Sequence, residues 1–318
     1  MLGRGVNAEL RGQPPERFWG TALPLLRSAD AVFANLECAI TRNRTPWTRT
    51  SKVFHFGAAP EAIAVLRAGN VRCVSLANNH TLDYEVEGLL EMLLLLDEAG
   101  IARAGAGRNL AEARRPAIVD VAGIRVGVVS ATDNEPPFAA TAEGPGVSYL
   151  ELESDRNAFR VLADAAQAAR DAGAWFVVLS LHWGPNMVAA PPRAFRRLAH
   201  RAMEFADLIH GHSAHVFQGP EVRDGRLILY DTGDFLDDYA VDPDLRNDWS
   251  FLFLLELSQT GVIERLRLHP VRLDYAQVNL ATGDEHRAIC DRMIERARVV
   301  GTTLTRTRDG LEIEMRRN

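Results

Sequence analysis

Four short apolar runs, each breaking off at a histidine, a carboxylate or an amide, constrain this chain more than any other feature of it. Trp175-Phe-Val-Val-Leu-Ser-Leu181 is the strongest and stops at His182-Trp183-Gly184. Asp30-Ala-Val-Phe-Ala-Asn-Leu-Glu37 ends on a carboxylate, Asn70-Val-Arg-Cys-Val-Ser-Leu-Ala77 runs into Asn78-Asn79-His80, and Asp207-Leu-Ile leads into His210-Gly-His212-Ser-Ala-His215. Unbroken apolar runs of this length suit strands covered on both faces. Between them lie helical patterns at Pro60–Gly69, Glu85–Ala99, Ser154–Ala172 and Pro192–Ala206. Strands alternating with helices build a layered α/β fold. Such folds gather ligands at the strand ends, where these polar side chains fall.

The 318 residues, 47% of them hydrophobic and 25% charged, can bury a large core. No internal repeat and no long linker divides them. One α/β domain over 1–318 is therefore expected, with the motifs in 1–257 and a C-terminal hairpin, helix and edge strand in 258–318. The first thirty residues carry an amphipathic helical pattern through Trp19, Leu23, Leu25 and Leu26. A hairpin is expected about Ala122-Gly123, and Gly105-Ala-Gly107 lacks the third glycine of a phosphate loop, so it reads as a plain turn.

A net charge of −6 gives no basic footprint for nucleic acid. The three cysteines, Cys38, Cys73 and Cys290, are odd in number and far apart, which suits reduced core residues. No apolar run approaches the roughly 18 residues that span a bilayer, and the opening Met-Leu-Gly-Arg has no signal-peptide core. The expectation is a soluble, cytoplasmic protein of unknown oligomeric state.

His210, His212 and His215 are expected on the loop leaving a buried strand, where Gly211 would let the backbone turn two rings inward. A polar loop with surface histidines is the plainer alternative. With Glu37, Asn79, His80 and His182 at the other strand ends, the set suits one or two divalent ions with affinity for nitrogen, Mn²⁺, Fe²⁺ or Zn²⁺. The basic residues Arg4, Arg42, Arg44, Arg49 and Lys52 could line a loop over that centre for an anionic small molecule or polymer, or could form a solvated face. Arg4, Lys52 and Trp183 are the expected substrate contacts.

The motifs Asn35-Leu-Glu37, Leu76-Ala-Asn-Asn-His80-Thr-Leu-Asp83, Ala104-Gly-Ala-Gly107-Arg-Asn, His182-Trp-Gly184, Gly211-His212-x-x-His215 and Tyr230-Asp-Thr-Gly-Asp-Phe235 together resemble the CapA, or poly-γ-glutamate capsule synthesis, family. That family is similar in turn to the calcineurin-like metallophosphatases. The resemblance implies a β-sandwich flanked by helices, four layers in αββα order, with a metal centre at its edge. By matching motif it implies Glu37, Asn79, His182, His212 and His215 as metal ligands, His80 as the acid and Asp83 as the group that orients His80.

It also implies a metal-dependent hydrolase acting on a phosphoester or a γ-glutamyl amide; the alternatives are a metal-dependent peptide epimerase and a non-catalytic polymer-binding protein. Two departures stand out. Relatives normally carry a strand ending in Gly-Asp just before the Met-Leu-Gly-Arg that is residues 1–4 here, so the first strand is expected to be missing, with a start placed too late as the simplest account. Where relatives have a second histidine after the position of His212 there is Ser213, and His210 becomes a possible substitute ligand.

Overall fold

A computed structural model describes residues 1–153 and 156–315, leaving out the side chain of residue 156. Three parallel strands form the first sheet: β1 (Val32–Asn35), β2 (Val71–Ser75) and β3 (Ala102–Ala104), in the order β1-β2-β3. One face of it is covered by α1 (Ala62–Ala68) and α2 (Glu85–Glu98), whose Val65, Leu66, Leu89, Met92 and Leu93 pack with Val74 and Leu76.

The second sheet has six strands: β4 (Ala117–Val121), β5 (Ile124–Thr132), β6 (Phe176–His182), β7 (Leu208–His212), β8 (Glu221–Arg223) and β9 (Arg226–Leu229), ordered β8-β9-β7-β6-β5-β4. Its four central strands are parallel. Side chains alternate across a strand. Leu179 and Leu181 therefore pack under α3 (Arg156–Asp171) and α4 (Arg193–Ala202), while Phe176 and Val178 face the other way. Burial on both faces explains why β6 reads as an unbroken apolar run.

The third sheet is antiparallel: β10 (Trp249–Leu257), β11 (Ile263–Asp274), β12 (Gln277–Leu280), β13 (Thr305–Thr307) and β14 (Gly310–Glu314). With α5 (Gly283–Val299) its Phe251, Leu266, Leu268 and Met293 meet Val126, Val128, Phe176 and Val178 of the six-stranded sheet, so two sheet layers enclose a common core. Helix, sheet, sheet and helix make the four layers expected.

Several local readings change. The N-terminal pattern is broken into Arg4–Glu9, a 3-10 stretch Pro15–Ala22 and Leu23–Ser28, because Gly20 takes φ 42° within it. The expected start of α3 at Ser154 lies outside the described residues. The tail strand β14 is not an edge: β13 pairs with it on one side and β11 on the other, which alternation alone could not reveal. Ala122 and Gly123 turn the β4–β5 hairpin with φ 49° and 86°, the signs a two-residue hairpin turn requires. Among the described residues no helix is long and apolar enough to cross a membrane.

Candidate metal centre

Register puts the first two ring systems together. Parallel pairing of β6 with β7 sets Ser180 opposite His210 and His182 opposite His212. All four side chains then lie on the inward side, and a slip of one residue would carry both histidines to the helix face. His182 Nδ1 and His212 Nδ1 are 3.0 Å apart, and Ser180 Oγ lies 2.9 Å from His212 Nε2. Burial lowers the pKa of His182 to about 4, with Glu37 opposing, and lowers that of His212 further with help from His210 and His182. Both rings are therefore neutral, the form in which imidazole binds a metal.

His210 and His212 belong to β7 itself, not to the loop after it. His210 is held between the sheets, 3.3 Å from Ser180 Oγ and 3.3 Å from Thr232 Oγ1, with its ring centroid 5.1 Å from that of His212. Gly211 does not turn the chain. It lets β7 pass against the Tyr230 carbonyl, into which a Cβ would run. The sharp change comes at His215, with φ 59°, whose Nδ1 lies 2.9 Å from Asp234 Oδ1. Burial lowers the His215 pKa, but Asp234, Glu37 and Asp231 overcome it and lift it to about 10.

The opposite layer supplies the rest. Glu37, two residues past β1, is buried and receives a 3.1 Å bond from Asn35 Nδ2. Burial raises its pKa, yet His182, His215 and His80 outweigh that and the repulsion of Asp234, so Glu37 stays a carboxylate. Past β2, Asn78 ties the turn: its amide donates to Asn35 Oδ1 and the Leu36 carbonyl, and its oxygen accepts from the His80 amide and Thr81. Asn79 is left with a buried Oδ1 that has no hydrogen-bond partner. His80 follows, Nδ1 2.6 Å from Asp83 Oδ2 and Nε2 4.0 Å from Glu37 Oε1, with the Phe56 ring 4.0 Å away.

Burial lowers the His80 pKa to about 3, against the pull of Glu37. Burial lifts Asp83 to about 7, against Lys52 and the Phe56 amide. With Nδ1–H donated to Asp83, His80 Nε2 carries a lone pair toward Glu37. It must take up a proton before it can act as an acid.

The expected substrate contacts are rearranged. Lys52 is a buried tie: Nζ donates to the Asn79 carbonyl at 2.6 Å and lies 3.2 Å from Glu135 and 3.4 Å from Asp83, its side chain only 6% exposed. Two hydrogen bonds and the ion pair with Asp83 hold the ammonium within the fold. Trp183 is also withdrawn, since its indole donates to the Tyr230 carbonyl and packs on Phe195 in the core beneath α4. Arg4 remains at the rim, 3.3 Å from Asp238 and stacked over Phe54, Phe56 and Tyr239.

Among the described residues no three His, Cys, Asp or Glu side chains already stand where one ion could be held. The donor set nevertheless fits a divalent cation: neutral imidazoles of His182 and His212, an ionised Glu37, and buried oxygens of Asn79 and Asp234 with no hydrogen-bond partner, whereas His215, held protonated beside Asp234, would have to give up its proton to join them. The paired rings of His182 and His212 would have to part to receive it. Sequence reasoning quoted Asp234 within its motif but gave it no role. The signal was its position at the end of a fifth apolar run, Leu227–Tyr230.

The family model described as bacterial capsule synthesis protein PGA_cap matches residues 1–239. The chain is similar to a probable polyglutamine synthesis accessory protein of Mycobacterium tuberculosis (strain ATCC 25618 / H37Rv), 33% identical over 276 residues, 83% of this chain and 72% of that one. It is 30% identical over 242 residues to the PGA biosynthesis protein CapA of Bacillus subtilis and 28% over 244 to the capsule biosynthesis protein CapA of Bacillus anthracis, covering 75% of this chain and 61% and 58% of theirs. It thus spans less than two thirds of either CapA protein. Among solved structures, the calcineurin-like phosphoesterase YfkN from Bacillus subtilis is a distant likeness, with a TM-score of 0.34 and 14% identity over 76% of this chain and 73% of that one. This chain belongs to the bacterial capsule synthesis PGA_cap family.

Proposed function

We propose that the chain is a metal-dependent hydrolase that acts on an anionic phosphoester or γ-glutamyl amide in the making or handling of a capsule polymer. The observation that carries this reading is the convergence of Glu37, His80, His182, His212 and His215 at strand ends from two sheet layers, beside unpartnered oxygens on Asn79 and Asp234. Glu37, Asn79, His182, His212 and His215 would hold the cation. A cation there would supply an acidified water as nucleophile and neutralise charge on the substrate. Asp83 fixes the His80 ring, and His80 Nε2, once protonated, would give that proton to the leaving group. Phe56 and Tyr239, packed on His80 and His215, shield the two rings, and Arg4 above them is placed to meet an anion.

The test is turnover of bis(p-nitrophenyl) phosphate and of a γ-glutamyl p-nitroanilide by metal-loaded protein. Turnover of either that is lost with a chelator and restored by Mn²⁺, Fe²⁺ or Zn²⁺ supports the reading. A metal-loaded protein inert toward both, and toward poly-γ-glutamate itself, contradicts it.

A further inference from the structure

Two donors at the rim of the strand-end cluster are left over by the fold. The Arg4 guanidinium gives Nε to the Asp238 carboxylate at 3.3 Å and Nη2 to the Asp238 carbonyl at 3.4 Å, while its Nη1 has no hydrogen-bond partner among the described residues. Tyr239 lies under that guanidinium, whose carbon is 5.4 Å from the ring centre. The Tyr239 ring stands edge to face 5.0 Å from His215 and 5.8 Å from Phe56, which in turn covers the His80 ring at 4.0 Å. The residue is half-buried, and no group among the described residues hydrogen-bonds its hydroxyl.

A phenol in such a place ordinarily finds a partner for its O–H. Packing does not require this oxygen, since phenylalanine would make all three ring contacts. The charges acting on the hydroxyl put it beside the cluster: burial raises its pKa, and Glu37, Asp234 and Asp237 raise it further against the pull of Arg4. It is near three acceptors and bonded to none of them. Like any phenol it holds its proton at neutral pH and is a donor.

Resting on the hydrolase reading above, we propose that Tyr239 is a further catalytic residue, whose hydroxyl acts beside Arg4 Nη1 and donates a hydrogen bond to a substrate oxygen that gains negative charge as the scissile bond breaks. A non-bridging oxygen of a phosphodiester or the carbonyl oxygen of an amide is such an atom. The proton stays on Tyr239 throughout. His215, Phe56 and Arg4 hold the ring in place beforehand, so the donor need not reorganise when the charge appears.

Tyr239→Phe in the metal-loaded full chain keeps the ring and removes only the donor. Inorganic phosphate, a tetrahedral oxyanion, is the probe; its binding is measured by titration calorimetry beside turnover of bis(p-nitrophenyl) phosphate. The proposal expects phosphate to bind ~10-fold more weakly and kcat to fall ~10²-fold with KM little changed. Melting temperature and metal content should not move. Equal phosphate affinity in the two proteins overturns the proposal, as does an unchanged kcat or an unaltered chain that binds no phosphate. Loss of metal or a lower melting temperature in Tyr239→Phe also overturns it, because the hydroxyl would then serve the cluster or the fold. Weakened phosphate binding in a chain that turns over no ester or amide retains the oxyanion contact and contradicts the hydrolase reading instead.

Discussion

His80 Nδ1 lies 2.6 Å from Asp83 Oδ2, and the same carboxylate oxygen receives the Phe56 amide at 2.6 Å. One buried carboxylate therefore fixes both the ring and the loop whose aromatic side chain covers it. If His80 moves the proton in turnover, His80→Ala should lower kcat by ~10²–10⁴-fold and leave metal content unchanged. Metal analysis beside kinetics checks this, and a variant that loses its metal along with activity would reassign His80 as a ligand.

The pH dependence of the pair has one sign. His80 needs a proton on Nε2 to act as an acid, and burial lowers its pKa to about 3 while lifting Asp83 to about 7, so the pair gives up its one shared proton as pH rises through about 7 and turnover should fall. Stability should fall with it. A carboxyl whose folded pKa is above its ordinary 3.8 contributes stability that is full below about 4 and is lost as pH rises through about 7. Asp83→Asn should flatten both trends; chemical denaturation and turnover of the same preparations from pH 4 to 8 measure them.

Lys52 should behave as a structural tie and not as a substrate contact. Replacing it by Met leaves Asp83 and Glu135 without their shared cation, at a cost of ~2–4 kcal/mol. Urea unfolding measures that loss. A rise in KM with unchanged stability would instead return Lys52 to the substrate.

Gly211→Ala should cost ~1–3 kcal/mol, because a Cβ there overlaps the Tyr230 carbonyl and pushes β7 off register. His212 moves with it. The denaturation midpoint should fall, and metal content should fall at temperatures where the variant remains folded.

The strands and their polar ends were legible because local patterning encodes them. Phe176–His182 is apolar since both faces are covered, and its last residue had to reach the sheet edge. Partner choice was not legible. Nothing in His210-Gly-His212 says that β7 continues through His212, since that depends on β6 pairing with it at Ser180 and His182. Lys52 and Trp183 were misjudged for a related reason: a charge or an indole near a motif reads as available until the packing of Glu135, Asp83 and Tyr230 around it is known. The tail strand looked like an edge because β13 beyond it is only three residues long.

The central claim is that the strand-end cluster holds a divalent cation. Elemental analysis after dialysis against Mn²⁺, Fe²⁺ or Zn²⁺ tests it most directly, comparing the unaltered chain with Glu37→Gln and His212→Ala. The account predicts about one or two ions per chain, as metal-assisted hydrolysis needs, and a loss of at least one in each variant. No bound ion in the unaltered chain, or the same stoichiometry in all three proteins, would contradict it.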